Sequence, residues 1–333
     1  MKDLAEKYEL KDIEGVGPAT ASKLKDAGFY SVESIAVEPI KELMEKSGIS
    51  FDTAAKIAET ARQLIKIDFI TAKELWNRRQ NMMKISTGCK SLNELLGGGI
   101  ETQAMTEYWG EYSTGKTCVC MKLSIMVQLP FESGGLNGKA LFVDTEGTFS
   151  PQRVYQMAQV MGVEPEKILQ NIIYSRCYNS DHQVLIIDHA FKLCQEENVK
   201  LVVVDSITSH WRADYIGREN LSERQQKLNH HLHKLLRLAE ILNLAVVVTN
   251  QVQANPATFF GDPNRPAGGN VLAHASTHRV LLRRSKGNMR MAKITDSPCL
   301  PSDAEAFFAI TEKGVEDVQI KEKNGGKEEQ QAS

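Results

Sequence analysis

No apolar run in this 333-residue chain approaches the roughly 20 residues that a membrane-spanning helix needs. The opening MKDLAEKYEL is charged where a secretory signal would be apolar, so the chain is expected to remain in the cytoplasm. Six cysteines (Cys89, Cys118, Cys120, Cys177, Cys194 and Cys299) include no CxxC pair. The spacing of Cys118 and Cys120 is wrong for a zinc knuckle, so reduced, buried thiols are expected. A net charge of -2 lacks the strong positive excess of many nucleic-acid-binding proteins, and any such binding has to come from local basic loops. What is present, 42% hydrophobic and 25% charged residues, is ordinary globular usage and enough for a medium domain plus a small one.

Residues 1–65 read as compact and helical. In LKDIEGVGPATASKLKDAGF, Gly15 and Gly17 permit a tight turn, Pro18 suits a first helical position, and 19–27 form an amphipathic helix ended by Gly28. A further helical pair is expected before residue 65. Residues 66–83 change character, a short extended stretch running into a basic segment, and read as a linker. From 84 to 318 the chain is α/β. Strand candidates at 105–109, 140–143, 171–175, 201–204 and 244–249 alternate with helical segments at 116–129, 151–161, 181–197 and 219–242. That alternation implies a mostly parallel sheet covered on both faces. RVLLRR, RMAKIT and AFFAIT then suggest an antiparallel meander at the sheet edge. The polar tail 319–333 reads as disordered.

The sharpest motif is Gly110-Glu111-Tyr112-Ser113-Thr114-Gly115-Lys116-Thr117, which fits G-x-x-x-x-G-K-[ST] between a predicted strand and a predicted helix. Backbone N–H groups of such a loop surround phosphate oxygens, Lys116 reaches the β- and γ-phosphates of ATP, and the Thr117 hydroxyl ligates Mg²⁺. Asp205 ends the buried run LVVVDS, where a carboxylate points into the crevice that would hold Mg²⁺. Glu146, in FVDTEGT, is the candidate to orient and deprotonate the attacking water, with Asp144 as competitor or strand-end cap. Gln251, ending AVVVTNQ, can hydrogen-bond a γ-phosphate or its water. His230, His231 and His233 lack a carboxylate or cysteine partner in the sequence, and zinc is not expected there.

Together these residues resemble the RecA-like core of the strand-exchange recombinases, the archaeal RadA group first and the eukaryotic group next, over about residues 8–317. The resemblance implies a P-loop ATPase core preceded by a small all-α helix-hairpin-helix domain. It implies an ATP- and Mg²⁺-dependent DNA repair and recombination enzyme that binds single-stranded DNA as a helical filament and exchanges strands with double-stranded DNA, close to the nucleoid. VDTEGTFSPQR then supplies the catalytic base Glu146 and an adenine-stacking Arg153. LVVVDSITSHWRADYIGREN carries the first DNA-binding loop, with Arg212, Tyr215 and Arg218. VVVTNQVQANPATFFGDPNRPAGGN carries the second, with Phe259 and Arg265. His274 would sense the γ-phosphate across a subunit interface, and Asp296 and Pro298 would belong to a cap over the neighbour's ATP, whose acidity suggests a potassium ion. The Gly15 and Gly17 turn would hold a DNA phosphate. Phe69 and Ala72, in FITA, would fill pockets on the next subunit's sheet edge, building filaments, or closed rings in a variant assembly, to which recombination mediators would attach. The family commonly has Gly where this chain has Ser113 and Gln where it has Cys118. Other assignments on the same fold are a helicase-like ATPase and a non-catalytic mediator; the intact phosphate loop, Glu146 and Asp205 argue against the latter.

Overall fold

The computed structural model describes residues 8–65, 69–217, 219–254 and 264–318. Its centre is a nine-stranded sheet. In spatial order the strands are Gly314–Asp317, Glu305–Thr311, Met289–Asp296, His278–Arg284, Met105–Trp109, Ala245–Asn250, Val199–Asp205, Lys139–Asp144 and Ile172–Arg176. Neighbours from Ile172–Arg176 to His278–Arg284 run parallel, and the remaining pairs are antiparallel. The expected parallel core with an edge meander is what the sequence folds into, with one further strand, Gly314–Asp317. Alternation along each strand sorts the apolar side chains. Ala140, Phe142, Leu201, Val203, Ala245 and Val247 pack on one face, where the Lys116–Met126 helix lies. Leu141, Val143, Val202, Val204, Val246 and Val248 pack on the other, under the Ser180–Glu196 and Leu221–Leu242 helices. Strands buried on both faces have to be apolar throughout, which is why LVVV and AVVV read as unbroken runs.

The two sheet margins differ. Asp317 covers one margin by accepting the Lys90 and Ser91 backbone N–H groups at 2.9 and 2.8 Å, which caps the short Lys90–Leu95 helix. Ile172–Arg176 ends the sheet on the other side.

Before the sheet, a 3-10 turn (Leu10–Asp12) and the helices Pro18–Asp26, Val32–Val37, Ile40–Ser47 and Phe51–Leu64 enclose their own core around Leu24, Ile35, Leu43 and Ile57. Three helices follow Pro18–Asp26 where a pair was expected. Pro39, at the N-cap of Ile40–Ser47, divides the middle segment in two. This bundle meets the core's outer helices through charged pairs: Arg237 Nη1 to Glu38 Oε2 at 2.8 Å and His230 Nε2 to Glu42 Oε2 at 3.1 Å. A small cavity of about 70 Å³ lies between the two layers.

Two expectations need correction. The basic part of the linker is a helix, Ala72–Gln80, nucleated by a capping box in which Thr71 Oγ1 accepts the Glu74 N–H at 3.2 Å and Glu74 Oε2 accepts the Thr71 N–H at 2.7 Å. T-x-x-E was the overlooked signal, and Ala72 is consequently the first residue of a helix. Of the thiols expected to be buried, Cys299 is exposed and Cys118 half-buried.

Candidate functional site

Four parallel strands deliver the predicted chemistry to one place, because each ends with its carboxyl end on the same side of the sheet. Met105–Trp109 leads into the phosphate loop, Lys139–Asp144 into Glu146, Val199–Asp205 ends on Asp205, and Ala245–Asn250 leads to Gln251. Gly110, Tyr112, Ser113, Gly115, Lys116, Thr117, Cys118, Glu146, Asp205 and Gln251 all line an open cleft of about 580 Å³. Thr114 lies buried beneath it, its hydroxyl donating to the Glu111 carbonyl at 2.9 Å.

Gly115 caps the Lys116–Met126 helix at φ 101°, a conformation that favours glycine, while a Cβ there would meet only the movable end of the Ile310 side chain, 2.6 Å away. Ser113 also lies in the left-handed region, at φ 62°. The departure from the family's glycine therefore falls where glycine is favoured. Ser113→Gly is expected to stabilise the nucleotide-free protein by about 1 kcal/mol by removing that strain, read as a higher melting temperature; a lower one would mean that the serine side chain contributes more than the strain costs.

Lys116 Nζ donates to the carbonyls of Gly110 and Glu111 at 2.9 and 2.8 Å, and burial lowers its pKa. Asp205 is almost fully buried. Its Oδ1 accepts from the Thr249 hydroxyl, while Oδ2 has no hydrogen-bond partner among the described residues and Thr117 adjoins the carboxylate. Burial raises its pKa. Glu146 is raised as well, by burial and then by the Asp205 charge, and its Oε1 accepts from Gln251 Nε2 at 2.6 Å. Two carboxylates and an ammonium partly withdrawn from water make a site that gains from both a cation and a polyanion. A buried, unpartnered carboxylate oxygen beside a threonine hydroxyl fits a magnesium ion.

Asp144 is a cap. Oδ1 accepts the N–H groups of Glu146, Gly147 and Thr148 at 3.0, 2.6 and 3.3 Å, and Oδ2 accepts from Phe149 N and the Tyr174 hydroxyl at 3.1 and 3.2 Å. With both oxygens occupied Asp144 is committed to holding its loop, and Glu146 is the carboxylate of this segment that lines the cleft. Arg153 donates to the Thr311 carbonyl and adjoins Cys118. His274, Asp296 and Pro298 are exposed and line no part of this chain's own cleft.

The proposed DNA-contact residues start from the same strand ends. Arg212 is exposed on the Ser209–Asp214 helix. Tyr215 packs on Trp211 (ring centroids 6.0 Å apart) and accepts from Lys227 Nζ at 2.7 Å. Arg265 is exposed on the Asn264–Pro266 strand, which pairs with Val252–Ala254. Arg218 and Phe259 lie outside the described residues. Gly15 has φ 93°, and nothing stands within 4 Å of a Cβ placed on Gly15 or Gly17, so their backbone can be approached closely. Phe69 is 96% exposed.

Residues not singled out in the sequence tie these parts together. Glu107 pairs with Arg279 Nε at 2.6 Å and accepts from Asn250 Nδ2 at 2.8 Å. Asn250 Nδ2 also donates to the Ala267 carbonyl at 2.7 Å, and Asn250 Oδ1 accepts from the Thr208 hydroxyl at 2.8 Å. The network thus reaches the roots of both loops. A carboxylate inside the strand MTEYW was its visible trace.

Comparison with known proteins agrees with this geometry. The Rad51 family model matches residues 78–318, and the SAM-like helix-hairpin-helix tandem model matches residues 7–63. The DNA repair and recombination protein RadA of Aeropyrum pernix is 51% identical over 316 residues, 95% of this chain and 99% of that protein. RadA of Ignicoccus hospitalis is 52% identical over 311 residues, 92% and 94% of the two chains. A phosphate loop, a glutamate and a buried aspartate gathered at the carboxyl ends of a RecA-like sheet, a helical bundle in front, and relatives this similar over nearly the whole length mean that the chain belongs to the Rad51 family of DNA repair and recombination ATPases, in its RadA group.

Proposed function

We propose that the chain is an ATP-dependent strand-exchange recombinase in which nucleotide at the cleft controls DNA binding by the loops that leave it. The observation that carries this reading is the shared strand ends: Val199–Asp205 supplies Asp205 and continues toward Arg212, while Ala245–Asn250 supplies Gln251 and continues into the second loop. Lys116 and the loop N–H groups bind the triphosphate. Thr117 and Asp205 would hold Mg²⁺, which supplies charge neutralisation at the phosphates. Glu146, held by Gln251 and raised toward a neutral form, takes the proton of the attacking water. Arg153 faces the base side, and His274, Asp296 and Pro298 act on a neighbour's nucleotide. Arg212 and Arg265, with Arg218 and Phe259, hold backbone and bases without reading sequence, as pairing of any homologous strand requires. Gly15 and Gly17 offer N–H groups to a duplex phosphate. A cytoplasmic place at the nucleoid follows from that substrate.

The assembly reading rests on two exposed features. Phe69 stands free just before the Ala72–Gln80 helix, and Ile172–Arg176 is a sheet margin of the kind that accepts an added strand. Joining one to the other between copies is head-to-tail and generates a helix when it does not close. Phe69 and Ala72 would both fill pockets on the neighbour, Phe69 from the extended stretch and Ala72 from the first residue of the helix. Electron microscopy tests this: with single-stranded DNA, ATP and Mg²⁺ the protein should form filaments, and Phe69→Ala should leave short or single particles with ATP binding intact. Closed rings alone, or filaments indifferent to Phe69→Ala, would count against it.

A further inference from the structure

One cluster of ligating side chains lies away from the cleft and has no part in the reading above. Glu101, His278 and Cys299 each bring one donor atom to a common point, the three atoms lying within 4.8 Å of one another. They come from the end of the Ile100–Glu101 strand, the start of His278–Arg284 and the turn after Met289–Asp296. His278 is buried and Cys299 is exposed, so the cluster opens to solvent on its sulfur side. The carboxylate is divided: Lys84 Nζ takes Oε1 at 3.0 Å, while Oε2 faces His278 Nε2 at 3.2 Å. On the far side of the ring, Nδ1 is 3.0 Å from Ser297 Oγ. That oxygen accepts the N–H groups of Cys299 and Leu300 at 3.2 and 2.9 Å, which fixes the turn under the imidazole.

We propose that Glu101 Oε2, His278 Nε2 and Cys299 Sγ form a binding site for one divalent transition-metal ion, Zn²⁺ in the first place. Bond lengths of about 2.0–2.2 Å for nitrogen and oxygen and about 2.3 Å for sulfur put tetrahedral oxygen and nitrogen ligands ~3.4 Å apart, and sulfur and nitrogen ~3.6 Å apart. The oxygen–nitrogen separation is already close to this, and the sulfur, on an exposed turn, has to move by on the order of 1 Å. A thiolate with an imidazole selects a borderline or soft ion over Mg²⁺ and K⁺. Protons balance simply. The Cys299 thiol proton goes to solvent, and the ring proton moves from Nε2 to Nδ1, where Ser297 Oγ accepts it in place of the longer of its two backbone bonds, the one from Cys299 N–H, as the outer nitrogen of a metal-bound histidine is commonly held. The Ser297 hydrogen turns toward the thiolate, 3.9 Å away. Three protein ligands leave a fourth position to water. Occupied, the site ties the turn that follows Asp296 to the two-stranded ribbon of Lys84–Ile85 and Ile100–Glu101.

The test uses the full-length, metal-stripped protein without nucleotide, titrated with Co²⁺. A thiolate on Co²⁺ gives a near-ultraviolet charge-transfer band that carboxylate and imidazole ligands do not. The band should saturate at one ion per chain, disappear on addition of Zn²⁺, and be missing in Cys299→Ser. Glu101→Gln, confirmed as folded by its melting curve, should weaken Zn²⁺ by about tenfold or more in competition with a chromophoric chelator. No band in the unaltered protein overturns the proposal. So does a band that survives Cys299→Ser, which would assign the ion to another thiol such as Cys118.

Discussion

Lys116→Ala is expected to lower ATP hydrolysis by about 10²–10³-fold, the usual loss when a donor aimed at transition-state charge is removed, and to abolish ATP-dependent joint-molecule formation. The reason lies in how the ammonium is held. Nζ bonds to two carbonyls of its own loop at 2.9 and 2.8 Å, so the side chain is folded over the loop. Burial lowers its pKa, which means that the fold holds this charge at a cost. Alanine removes that cost together with two hydrogen bonds, and the melting temperature should therefore change little. The two readouts separate: activity falls while the fold stays. Phosphate release and joint-molecule yield measure the first, and a melting curve the second. Unchanged joint-molecule yield would mean that strand exchange does not run through this phosphate loop.

The sequence carried the parallel sheet plainly, because a strand covered on both faces must be apolar at every position, and LVVV and AVVV can hardly be anything else. The cleft was legible for a related reason. Residues that end such strands converge whatever the order of the strands, so Glu146, Asp205 and Gln251 could be placed together before the order was known. Helix boundaries depended on weaker signals. Thr71 and Glu74 cap a helix in what read as a plain linker, since three-residue capping patterns are common and only the surrounding chain decides which ones act. The choice between Asp144 and Glu146 was open in sequence because both follow the same strand. Hydrogen-bond saturation separates them, with six donors on Asp144 against a single amide on Glu146, and saturation depends on loop conformation. The cluster of Glu101, His278 and Cys299 had no local trace at all: 177 residues separate Glu101 from His278, and only the packing of the folded chain brings them together.

Glu107→Ala should be the most destabilising single change in the core. Glu107 is fully buried, opposite Arg279 in the pairing of Met105–Trp109 with His278–Arg284, and ion-paired to it at 2.6 Å. Deleting one member of a buried pair strands the other, at a cost of about 3–5 kcal/mol. Here the loss also frees Asn250, whose amide bridges Glu107, Thr208 and Ala267. Urea unfolding followed through Trp109, on the same strand, would record the shift. Glu107→Leu with Arg279→Met replaces the pair by apolar side chains of similar volume and should recover most of that stability. It should not recover stimulation of ATP hydrolysis by single-stranded DNA, because Asn250 still lacks the acceptor that orients it between the loop roots at Thr208 and Ala267. If the double variant regained both, the network would be packing alone, and the link between the nucleotide cleft and the DNA loops would have to run elsewhere; if Glu107→Ala cost less than about 1 kcal/mol, the pair would not be withdrawn from water in the way its geometry implies.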